Sequence, residues 1–80
     1  MATKEDLPDW VLTALIANGG SSRLIDVAKY IWLHYEVELR DSGDLFFKWQ
    51  YDMRWAATQL RRTGKIKAAD VSPLGIWELV

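Results

Sequence analysis

Leu45-Phe46-Phe47-Lys48-Trp49-Gln50-Tyr51-Asp52-Met53-Arg54-Trp55-Ala56-Ala57-Thr58-Gln59-Leu60-Arg61-Arg62-Thr63-Gly64-Lys65-Ile66-Lys67-Ala68 is the stretch in which the apolar period changes. Up to Gly64, Leu45, Phe46, Trp49, Met53, Ala56 and Leu60 recur at the three-to-four spacing that lines one face of a helix. After Gly64 the spacing drops to two, in Lys65-Ile66-Lys67-Ala68 and again in Gly75-Ile76-Trp77-Glu78-Leu79. Asp70-Val71-Ser72-Pro73-Leu74 between them is turn-rich, so a β-hairpin is expected from residues 65–68 and 75–79. Gly64 stops the helix of residues 45–63, with Arg61 and Arg62 in a last turn where cations suit the dipole. Trp49 and Trp77 are expected in the core.

Upstream, two more helices are predicted. The first covers residues 8–18: Pro8 suits a first turn, Val11, Leu12, Leu15 and Ile16 form a stripe, and Asn18-Gly19-Gly20 ends it. Ser21-Ser22-Arg23 reads as a short extended link, with Ser22 as the N-cap of a helix over residues 23–38. Leu24, Val27, Ala28, Ile31 and Tyr35 share its inner face, which Ile25 and Trp32 widen. Arg40-Asp41-Ser42-Gly43-Asp44 is a polar turn. The expected fold is mostly α with a small antiparallel hairpin, a winged helix-turn-helix of three helices and a C-terminal wing. All 80 residues form one domain, with 1–6 expected to be flexible.

Half the residues are apolar and five are Trp, which suits a small packed core and excludes disorder. The chain has no Cys, which removes disulfides, thiolate zinc sites and Cys nucleophiles and favours a cytoplasmic location. No apolar run has the length of a membrane span. Catalysis is not expected. His34 is the sole His, and with Glu38 one turn on it reads as a solvated residue rather than a ligand or base. Ser21 and Ser22 have no neighbouring His. Gly19-Gly20 is not followed by the Lys of a phosphate loop. No cofactor, metal or small-molecule substrate is expected.

The net charge of −1 is unevenly spread. Residues 1–44 carry four cations against eight carboxylates, whereas residues 45–80 carry six against three. From Arg54 to Lys67 there are five cations, Arg54, Arg61, Arg62, Lys65 and Lys67, and no acid. In a helix-turn-helix the second helix enters the major groove by its N-terminal half. Lys48, Gln50, Tyr51, Asp52 and Trp55 would then approach base edges, and the five cations would meet phosphates. Double-stranded DNA is the expected partner.

The ordered set Leu7-Pro8, Gly19-Gly20, Trp49, Arg54-Trp55-Ala56, Leu60, Gly64 and Gly75-Ile76-Trp77 resembles the N-terminal winged-helix domain of Mrr-type restriction systems. That resemblance implies a DNA-targeting module of the kind that precedes a nuclease. No nuclease segment is expected before the chain ends at Val80. Ser72-Pro73-Leu74 stands where the family often has basic residues, so the wing should add few phosphate contacts.

A second reading is a protein-interaction or dimerisation module. Tyr30, Leu33 and Val37 lie off the inner face of their helix, which makes that helix apolar on both sides. Phe47, Tyr51 and Trp55 form a similar outward stripe on the next helix.

Overall fold

A computed structural model describes residues 2–80, and the expectation for Met1 lies outside them. The elements are a 3-10 turn (Lys4–Asp6), α1 (Leu7–Ala17), β1 (Ser21–Arg23), α2 (Leu24–Arg40), α3 (Leu45–Arg62) and β2 (Ile76–Glu78). The expected class is present, three helices with a two-stranded antiparallel sheet near the C-terminus.

The helix ends follow from local chemistry. After α1, Gly20 N donates to Leu15 O at 2.7 Å and Gly19 N to Ile16 O at 3.2 Å. After α3, Lys65 N donates to Leu60 O at 2.9 Å and Gly64 N to Arg61 O at 3.1 Å. Both are Schellman closures, which require a left-handed residue just beyond the helix. Gly64 supplies it at φ +74°, with open space where a Cβ would stand. Gly64→Ala is therefore expected to cost about 1–2 kcal/mol through backbone strain alone. Urea denaturation of the variant checks this, and unchanged stability would remove the Schellman role of Gly64.

The core is built where the three helices meet, and α1 packs most extensively on α3. Leu7, Val11, Ala14 and Leu15 of α1, Val27, Ile31 and Leu39 of α2, and Ala56 and Ala57 of α3 are fully buried. Trp49 and Trp77 are buried as expected, at 6% and 7% exposure. Ile16 and Ile25, assigned to inner faces from spacing, are instead exposed. Each lies at the border of its stripe, where a few tens of degrees of rotation decide burial. Helix α2 is kinked at Tyr35 (φ −126°, ψ 20°), whose ring stacks on Trp10 at 4.2 Å.

The sheet differs from the expected hairpin in its pairing. β2 pairs with β1, in the register Ser21↔Glu78, Ser22↔Trp77 and Arg23↔Ile76. The segment 65–68 meets the residue just past β2 at one bridge, Ile66↔Leu79, and Lys67 N donates to Glu78 O at 2.8 Å. The ladder stops there because Val71 N and Ser72 N turn back onto Ala68 O and bend the chain away. Ser22 is consequently not the N-cap of α2. It is a buried strand residue whose hydroxyl donates to Arg23 O and accepts from Asn18 Nδ2, and Arg23 holds the cap position. The expected flexible N-terminus contains the 3-10 turn, tied by Thr3 N donating to Asp6 Oδ2 at 2.9 Å and seated against α3.

Candidate nucleic-acid interface

The solvent face of α3 is set by what its other face must bury. Leu45, Trp49, Met53, Ala56 and Leu60 point inward. The opposite side then carries Phe47, Tyr51, Arg54, Thr58 and Arg62, all exposed, as a stripe roughly 22 Å long. Phe47 and Tyr51 are 84% and 77% exposed. Lys48 and half-buried Trp55 lie on one flank of the stripe, and Gln50 and half-buried Arg61 on the other. Thus Lys48, Gln50, Tyr51, Arg54 and Arg62 are brought onto one accessible surface. Lys65 follows the helix and is also exposed.

Asp52 departs from its expected place beside the base edges. Its residue is 6% exposed, and its Oδ2 is buried with no hydrogen-bond partner. The ion pair it makes is with Lys48, Nζ to Oδ2 at 3.7 Å. The reason is rotational: Asp52 is one turn from Ala56 and adjacent to Met53, so it falls at the edge of the inward face. Asp52 is the one carboxylate of α3 and is nearly buried, so the charged residues that are well exposed on the helix are cations.

Three expected cations are less available than the sequence implies, the first being Lys48 through its pair with Asp52. Lys67 Nζ lies 3.9 Å from a Glu78 carboxylate oxygen across the bridged strands. Arg61 is partly buried, with Nε out of solvent and without a partner. Conversely, Lys4 was not anticipated at this surface. The 3-10 turn carries its Nζ to 4.7 Å from the Trp55 ring centroid, a cation–π distance. Lys4 also lines a cleft of about 460 Å³ with Tyr51, Asp52, Arg54, Trp55 and Thr58. Contact between residues 4 and 55 leaves no local signal in the sequence.

Arg23 at the start of α2 is neutralised. It donates from Nε to Asp26 Oδ2 at 2.8 Å and from Nη2 to Oδ1 at 3.1 Å. These hydrogen bonds hold the Asp26 carboxyl below its ordinary range and raise the Arg23 guanidinium. Lys29, one turn along α2, is exposed and makes no ion pair among the described residues.

The outward face of α2 is also uncovered. Leu33 and Val37 are 76% and 68% exposed, and neither the N-terminal turn nor the sheet folds over them. Tyr30 is half-buried and stacks on His34 at 4.1 Å. Tyr30 and Leu33 border a shallow cleft of about 620 Å³ with Asn18, Ser22, Lys29 and Ile76.

These elements define a small helical domain with a two-stranded antiparallel sheet, and no described helix is long and apolar enough to cross a membrane. No family model, no curated protein and no solved structure matches the chain.

Proposed function

We propose that this chain is a non-catalytic, cytoplasmic DNA-binding module of winged-helix type, with α3 as the groove-reading helix. The observation that carries the reading is the exposed face of α3, where Arg54 and Arg62 stand without ion-pair partners among the described residues, while the one carboxylate of the helix, Asp52, is nearly buried and paired with Lys48. Such a surface attracts a polyanion despite the net charge of −1. Gln50 and Lys48 sit in the N-terminal half of the helix, where base edges are read. Arg54, Arg61, Arg62 and Lys65 are the phosphate contacts, with Lys67 shared with Glu78. The resemblance to Mrr-type N-terminal domains supports a targeting role in a restriction-type system.

Titration of the protein with mixed duplex DNA at two salt concentrations, followed by backbone NMR, tests this. Shifts are expected within residues 48–67. With about four neutralised phosphates, affinity should fall on the order of 100-fold between 50 and 200 mM salt. Binding by a single copy should be micromolar or weaker at physiological salt. Absence of shifts in that segment at low salt would leave the resemblance as one of fold alone.

The exposure of Leu33 and Val37 favours a second reading, an interaction or dimerisation module. Sedimentation equilibrium should then show mass rising with concentration, and Leu33→Glu should abolish the rise. A monomer at millimolar concentration would exclude self-association through this face.

A further inference from the structure

Helices α2 and α3 leave an open groove between them. It has a volume of about 380 Å³, with walls formed by Ile25, Ala28, Trp32, Phe46 and Trp49 and a rim that includes Lys29 and Gln50. A smaller cleft of about 130 Å³ shares Ile25, Ala28 and Gln50 and adds Arg54. We infer that this groove is a binding site for a small aromatic carboxylate.

Three properties select that ligand. The volume falls within the range of small-molecule sites, about 300–1,000 Å³. The walls are rich in aromatic surface: the Trp32 ring centroid lies 6.3 Å from both Phe46 and Trp49, and Ile25 is 52% exposed on the rim. Such walls favour a flat apolar body. The polar positions at the rim are Lys29, Gln50 and Arg54, and no carboxylate lines either cleft. Neither Lys29 nor Arg54 has an ion-pair partner among the described residues. An anionic group on the ligand therefore gains charge-assisted contacts, whereas a cation gains none. The Arg40 guanidinium, paired with Glu36 at 2.7 Å, lies 5.1 Å from the Trp32 centroid and 5.8 Å from Phe46. The site stands whether or not α3 binds DNA.

The test is an NMR titration of the full chain, without DNA, with 2-naphthoate and with 2-naphthalenemethanol, which keeps the ring and lacks the charge. Naphthoate is expected to give saturable shifts in residues 25–32 and 46–50, with Kd on the order of 0.1–1 mM. The alcohol should bind roughly threefold or more weakly. Lys29→Glu should reverse that preference, and Ile25→Asp, at an exposed position, should abolish naphthoate binding while the rest of the spectrum is retained. The inference is overturned by an absence of saturable shifts in those segments, by equal binding of acid and alcohol, or by an unaltered preference in Lys29→Glu.

Discussion

Truncation of Trp49 to Ala is expected to remove about 3–5 kcal/mol of stability, a large part of what an 80-residue domain possesses. Trp49 is 6% exposed at the middle of the inner stripe of α3. Its ring lies nearly parallel to Trp32, at 8° and 6.3 Å, so it joins α3 to α2 while its neighbours Met53 and Ala56 join the same core. Removing the indole deletes a large apolar area and leaves a cavity that this close-packed helical junction fills poorly. Thermal and urea denaturation read the effect directly. A melting temperature within a degree or two of the wild type would mean that the inward face of α3 has been assigned wrongly. Phe47→Ala, on the same helix but 84% exposed, is the matched control and should be nearly neutral.

The second large effect concerns the proposed nucleic-acid face. Arg54→Glu combined with Arg62→Glu should lower duplex affinity on the order of 100-fold at low salt and flatten the salt slope by about two contacts. Both positions are exposed and neither side chain has an ion-pair partner among the described residues, so the fold should survive. Lys67→Glu should have a smaller effect, since Lys67 is already held near Glu78. The loss should be equal for all sequences, because phosphate contacts position the protein and carry no base information. Gln50→Ala should behave differently and alter sequence preference. Fluorescence anisotropy with several duplexes separates the two patterns. Wild-type affinity in the double variant would take α3 out of the contact surface.

The helices were legible because their determinants are local. Apolar spacing within α3 defines its inward face, and the turn at Gly64 closes it, with Gly64 N donating to Arg61 O and Lys65 N to Leu60 O, three and five residues back. The alternation around Ile66 and Trp77 likewise identified two segments that do meet, at Ile66↔Leu79. The same reasoning misplaced Ile16, Ile25 and Asp52, which lie at stripe borders where period alone cannot choose a side.

What the sequence by itself determined is therefore the number of the helices, their limits to within two residues (α2 runs on to Arg40, past the expected residue 38), most of their inner faces, and the concentration of positive charge after residue 45. Those features depend on neighbours within one or two turns. The tertiary structure alone decided that Ser21–Arg23 would be the ladder partner of β2, across more than fifty residues of chain. It also decided that Lys4 would reach Trp55, that Lys67 would be shared with Glu78, and that Asp52 would leave the surface. Each of these results from segments brought together by burying the common core of α1, α2 and α3. An extended segment offers unpaired backbone groups to whichever strand that packing sets beside it, so its partner is chosen by the assembled helices rather than by its own residues.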